Sequence, residues 1–271
     1  MRIASAVILA PLAVFGILYL PGAGFALVLG VIFLLGLWEW TRMVGFRRRR
    51  FRSIVVGLNA LAISVFWVLI ARSEAIWIYV VYAGVLWWFL AMLWLRAFEF
   101  GKANTLRNLE IKVLAGSLIV VPAWAAGVWL HESTPNGPWW ALYVIVLIWV
   151  ADVFAYFSGK RFGAHKLAPR ISPGKTREGA YGAMAGALIY ALVCGHLFGL
   201  SQLSLALFAG LSLLAVAFSI VGDLFESLMK RHANLKDSGH LIPGHGGILD
   251  RVDSLLAALP IFVAGREWLL V

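Results

Sequence analysis

Cysteine is nearly absent from this sequence. Cys194 stands alone among 271 residues, so neither a disulfide framework nor a thiolate metal site can form within one chain. It lies in an apolar run and is expected to be packing filler. Charge is scarce too: 13% of residues are Asp, Glu, Lys or Arg, against roughly a quarter in a soluble domain, which excludes an ordinary water-soluble globule. No Ser/Pro-rich or charge-dense linker divides the chain, so a single domain over 1–271 is expected, with no soluble appendage. Only Arg2 precedes the first apolar segment and no small-residue cleavage site follows it, which favours a retained span over a removed signal peptide.

What the chain has in abundance is apolar surface: 62% of its residues are hydrophobic. A membrane span needs about 20 mostly apolar residues, closing their own backbone hydrogen bonds because lipid offers no partner. Nine stretches qualify, near 3–20, 25–40, 54–71, 76–95, 113–130, 139–157, 182–200, 203–222 and 254–270. The expected fold is an all-α polytopic helical bundle of about nine transmembrane helices.

Of the 23 Lys and Arg residues, all but Arg72 and Arg266 fall at the start or in the loops after spans two, four, six and eight. Such a bias puts the N-terminus and the basic loops in the cytoplasm and the C-terminus in the periplasm or outside. The net charge of +10 is therefore a topology signal, and no nucleic-acid partner is expected. The Arg47 to Arg50 run is expected to anchor to anionic lipid headgroups. Trp77, Trp87, Trp88, Trp94, Trp139, Trp140 and Trp268 lie near span ends and are expected to form an interfacial belt.

The polar chemistry sits in two cytoplasmic loops, 158–178 and 223–253. Asp152, just ahead of the first, lies in an apolar helix, where a carboxylate is expensive unless paired or facing a watery cavity. Ser172-Pro173-Gly174-Lys175-Thr176 combines glycine for close approach, a lysine charge and two hydroxyls, as phosphate handling requires. It lacks P-loop spacing, and by itself it could be a basic turn. In the second loop, a helix running past Gly222 would put Asp223, Glu226 or Ser227, and Lys230 on one face. Asp250 and Asp253 open the last span on a shared face, where they could cap the helix or, at the level of Asp223, bind Mg²⁺. Pro243-Gly244-His245-Gly246-Gly247 could form an anion-binding turn. Glu39, at the end of span two, is at most a weak candidate.

The ordered pattern Ser227-x-Met229-Lys230-Arg231, Lys236-Asp237-x-Gly239, Pro243-x-His245-Gly246-Gly247 and Asp250-Arg251-x-Asp253 resembles the phosphatidate cytidylyltransferase family. Ser172-Pro173-x-Lys175-Thr176-x-Glu178-Gly179 and Asp152-x-x-Ala155-Tyr156 are also similar to it, so the likeness covers the last 120 or so residues. It implies a multi-span enzyme of the inner membrane with its site facing the cytoplasm, 1–130 supplying N-terminal spans and 139–271 the catalytic half. It also implies transfer of the cytidylyl group of CTP to phosphatidic acid, giving CDP-diacylglycerol and pyrophosphate for phospholipid biosynthesis. Asp223, Asp250, Lys230, Lys236 and His245 are then expected to be catalytic, with Asp223, Asp250 and Asp253 holding Mg²⁺ and room for a second, monovalent or divalent, cation. Ser172, Lys175, Thr176, Ser227, Arg231, Asp237, Gly246, Gly247 and Arg251 would bind substrate, with Asp152 and Glu178 in support. A CTP-dependent kinase of a polyprenol-type lipid and an ion-coupled transporter are the alternatives. The small-residue run Gly179, Gly182, Ala183, Gly186 is expected to be a helix-packing face that could also serve a homodimer.

Overall fold

The computed structural model describes residues 2–70, 74–239, 241 and 246–269. Among them, nine helices and one hairpin follow in the order α1 (Arg2–Tyr19), α2 (Gly22–Met43), α3 (Arg49–Ile70), α4 (Glu74–Arg96), α5 (Leu106–Glu132), α6 (Gly137–Phe162), β1 (Lys166–Ala168), β2 (Ser172–Thr176), α7 (Arg177–Leu197), α8 (Gln202–His232) and α9 (Leu249–Leu269). Each of the nine expected stretches is a helix. Seven of these, α2 to α8, are long and apolar enough to cross a membrane. The all-α expectation is corrected in the loop between α6 and α7, where β1 and β2 pair antiparallel, Lys166 opposite Thr176 and Ala168 opposite Ser172.

The second loop is shorter than its sequence suggests, because α8 continues ten residues beyond Gly222 before Asn234 turns the chain at φ 56°. α5 and α9 form the centre of the bundle, burying Trp124, Val128, Ala257, Phe262 and Val263. Leu58, Leu61, Leu86, Ile189 and Val193 point outward, a pattern suited to acyl chains and costly in water.

The tryptophan belt needs correction. Trp139 and Trp268 are exposed, but Trp77, Trp87, Trp88 and Trp94 are buried. Trp40, Trp87, Trp88 and Trp94 surround Phe225 with ring centroids 5.4–6.2 Å away, clamping α8 between Asp223 and Glu226. Trp88 has a second task. Pro260 lies within α9 and has no N–H for the Leu256 carbonyl four residues back, and the Trp88 indole donates to that oxygen at 3.2 Å. Trp88→Phe is expected to leave that carbonyl unsatisfied and cost roughly 1 kcal/mol, the net worth of one such bond. Thermal unfolding in detergent measures it, and an unchanged midpoint would mean that the carbonyl finds another donor.

The basic loops gather at one end of the bundle. Glu99, between α4 and α5, pairs with Lys102 at 3.0 Å and with Arg170 of the hairpin turn at 2.6 Å. The Lys102 hydrogen bond, aided by Arg170, holds the Glu99 carboxyl below its usual range. Arg231 near the end of α8 donates to the Ile171 carbonyl at 3.1 Å, fastening the same hairpin turn. The small-residue face of α7 is used within the chain: a side chain at Gly182 would strike Ser158, and one at Gly186 would strike Phe154, both on α6.

Candidate active site

Two chambers of about 390 Å³ each lie between α6, the hairpin, α7, α8 and α9. Lys160, Lys175, Thr176, Ser219 and Tyr156 line one of them. Glu226, Lys230, Asp250, Arg251, Asp253 and Trp149 line the other. Asp152, Asp223 and Ser254 belong to both, so two carboxylates stand where the chambers meet.

Local structure explains how they get there. On α8, Asp223, Ser227 and Lys230 follow at helical spacing, and the Ser227 hydroxyl donates to Asp223 Oδ1 at 3.3 Å. The Lys175 ammonium reaches Asp223 from β2, tying the hairpin to α8. Gly222 lets α8 approach α9 closely, since a Cβ there would press on the Asp253 carbonyl and Ala257. This contact sets Asp223 against Asp253 across the helix pair.

Lys230 bridges Glu226 Oε2 and Asp250 Oδ1, 2.7 Å from each. Asp250 is the most heavily bonded carboxylate of the site. Its Oδ2 accepts from the Ser238 amide at 3.0 Å, the Ser238 hydroxyl at 2.9 Å and the Gly247 amide at 2.9 Å. The aspartate thus ties Ser238 and Gly247 of the α8–α9 loop to the chamber wall. Gly246, at φ 83°, has the left-handed conformation that glycine adopts without strain, and a Cβ would crowd Asp250 there.

Two residues that organise this loop escape the sequence motifs. Glu39, on α2 and 3% exposed, accepts from the Ser238 hydroxyl at 3.1 Å and from the Leu249 amide at 2.9 Å. It therefore caps α9, the task open to Asp250 on sequence alone. Ser238 is fully buried: its single hydroxyl proton is shared between Glu39 and Asp250, and its amide donates to Asp250. Glu39 carried one signal, a carboxylate in an apolar helix. Ser238 carried none beyond its place in a loop dense in polar residues.

Other expected site residues have mainly structural partners. The Thr176 hydroxyl caps α7 by accepting from the Gly179 amide at 3.1 Å. Glu178 accepts from the Ala164 and His165 amides and, at 2.7 Å, pairs with the His165 ring, holding the end of α6 to α7. Ser172 begins β2 opposite Ala168. Lys236 and Asp237 are exposed on the α8–α9 loop, with Asp237 beside Gly246. His245 lies outside the described residues.

The donor set suits a cation shared with a phosphate ligand. Asp152, Asp223, Glu226, Asp250 and Asp253 all face one chamber, and Glu226 Oε1 is buried with no hydrogen-bond partner. Among the described residues no three carboxylate, His or Cys groups close into an all-protein metal cage. Mg²⁺ does not need one, since it takes one or two carboxylates, keeps waters and bridges substrate phosphates.

Comparison with known proteins agrees with this chemistry. The chain is 41% identical over 266 residues to a phosphatidate cytidylyltransferase of Pseudomonas aeruginosa, covering 97% of this chain and 95% of that protein. It is 35% identical over 280 residues to one of Haemophilus influenzae, covering 96% of each. A Thermotoga maritima protein of the same name is 42% identical over 125 residues, 45% of this chain and 46% of that one. The model of the cytidylyltransferase family matches residues 1–268, and with it the N-terminal spans that carried no motif: the chain belongs to the cytidylyltransferase family.

Proposed function

We propose that this chain transfers the cytidylyl group of CTP to phosphatidic acid, giving CDP-diacylglycerol and pyrophosphate. The observation that carries this reading is the pair of chambers meeting at Asp152 and Asp223, with Lys175 on one side and Lys230 on the other. A phosphate oxygen of the lipid attacks the α-phosphorus of CTP, a new P–O bond forms, and the α–β bridging bond breaks with pyrophosphate as leaving group. The attacking oxygen is already anionic, so no strong base is required, and the protein's contribution is position and charge.

Lys175 and Lys230 each rest on a carboxylate and exchange it for substrate phosphate, with Arg251 at the chamber wall. Asp223, Asp250 and Asp253, which line one chamber with Asp152, would hold Mg²⁺, Asp250 being also bonded to Lys230. The cation would neutralise charge that builds on the CTP phosphates. A second cation has the unpartnered oxygen of Glu226 available to it. Lys236, Asp237, Gly246 and Gly247 contribute from the loop that Asp250 holds through Ser238 and Gly247.

All nine helices cross the inner membrane in this reading, N-terminus inside and C-terminus outside, because the basic loops share one end of the bundle and Lys and Arg favour the cytoplasm. Phosphatidic acid arrives sideways from the bilayer and CTP from the cytoplasm. The deciding experiment supplies phosphatidic acid, a polyprenol, Mg²⁺ and CTP labelled at the α- or the γ-phosphate. Label from the α position should appear in the lipid extract. Label from the γ position alone would make the chain a kinase, and none at all would return it to the transporter class.

A further inference from the structure

A third cavity, of about 620 Å³, lies outside the two chambers, where the α2–α3 loop, the α4–α5 loop and the C-terminal end of α8 meet. Arg42, Arg47, Arg52, Lys102, Lys112 and His232 line it, and no Asp or Glu does. Lys102 is paired with Glu99, and the four other Lys and Arg groups facing this space repel one another unless something anionic enters it.

Lys112 makes the strongest case. It is 7% exposed, on the first turns of α5, and its ammonium forms no ion pair among the described residues. Its backbone carbonyl accepts from the Trp40 indole at 2.9 Å, which fixes the main chain of α5 at the cavity. With no carboxylate beside it, the ammonium of this largely buried residue has only the cavity from which to draw a counter-charge. His232 closes one wall: its Nε2–H donates to the Phe98 carbonyl at 2.7 Å, which leaves the buried Nδ1 an acceptor without a partner. Arg52 is held in place by stacking on Trp38 at 3.9 Å and by bonds to Thr41 Oγ1 and the Trp38 carbonyl. The positive end of the α5 macrodipole faces the same space, with no acid in the first turn to offset it.

We infer that this cavity is a binding site for a phosphate group, distinct from the catalytic chambers, with Lys112 as its central cation. The group is a phosphate carried by a membrane lipid headgroup or by a small molecule in solution, two sources with the same recognition chemistry. The site borders the catalytic loop, for Asn234 and Leu235 line it and Lys236 comes next in the chain.

The test uses the full-length protein in detergent and follows its thermal unfolding with inorganic pyrophosphate, or with phosphatidylglycerol in the micelles. Phosphatidylglycerol is chosen because its phosphodiester cannot serve as the cytidylyl acceptor. Sodium chloride at matched ionic strength and phosphatidylcholine are the controls. At least one phosphate source should raise the midpoint above its control. Lys112→Met keeps the volume and should weaken that binding roughly tenfold, as loss of a charge-assisted contact does. Arg47→Gln, at an exposed position that folding does not depend on, should weaken it about two- to threefold. A response to phosphatidylglycerol alone assigns the site to a lipid, and a response to pyrophosphate lost in Lys112→Met assigns it to a soluble ligand. No response to either source, or a response of equal size in both variants, overturns the proposal.

Discussion

The Asp223→Asn protein is expected to insert and fold like the parent but to lose cytidylyl transfer by at least roughly 10²–10³-fold, the cost of removing one preorganised electrostatic group from an active site. The substitution keeps the side-chain volume and an oxygen for the Ser227 hydroxyl, so α8 has no reason to move. It removes the negative charge that Lys175 rests on, while the bond from Arg231 to the Ile171 carbonyl still ties the hairpin to α8. It also removes the only charged α8 residue shared by both chambers. Activity is read as α-phosphate label in extracted lipid, and folding as the thermal midpoint. Because the loss falls on a group that the reacting phosphates are proposed to meet through the cation, kcat should fall and extra Mg²⁺ should not restore it. Near-parental turnover would remove Asp223 from the proposed metal site. A lowered thermal midpoint with turnover falling only in proportion would make it a structural ion pair.

Much of this arrangement is legible in the sequence, for identifiable reasons. Apolar runs in a membrane protein can only be helices, so hydropathy alone located every one of α1 to α9. The polar stripe Asp223, Ser227, Lys230 follows from helical periodicity once α8 is extended past Gly222, and the bonds between its members bear that out. What escaped has equally physical causes. The β1–β2 hairpin is short and held from outside, by Arg231 on its turn and Lys175 on Asp223, and such tertiary ties leave no local pattern. Trp87, Trp88 and Trp94 read as interfacial because they stand near a helix end, yet they pack around Phe225. The Trp88 and Trp94 indoles donate to the Leu256 and Phe100 carbonyls and so can be buried as readily as they can sit at an interface, while Trp87 is held by ring packing alone. Gly182 and Gly186 did read as a packing face, and the face they serve is α6 of the same chain.

Glu39 marks the widest gap between motif and site, since it comes from the N-terminal half that carried no motif yet bonds both ends of the α8–α9 loop, at Ser238 and Leu249. Glu39→Ala is expected to lower kcat by roughly 10²-fold, the penalty for a displacement of about 1 Å at a reacting centre. The reasoning runs through two contacts. Without the carboxylate the Leu249 amide at the start of α9 loses its acceptor, and the Ser238 hydroxyl keeps only Asp250. Gly239 and Gly247, which pack directly on the Glu39 carboxylate, would then border a cavity. The unmet amide and the cavity together should cost about 2–4 kcal/mol of stability. Glu39 is a positioning residue that touches no substrate in the proposed mechanism, so the KM for CTP should change far less than kcat. Glu39→Gln keeps a carbonyl oxygen for the same two donors and should recover turnover to within about tenfold of the parent. A residue whose charge itself took part in the reaction would show the reverse, with Glu39→Gln as inactive as Glu39→Ala. A fully active Glu39→Ala would mean that Asp250, Lys230 and Ser238 hold the loop without help from α2.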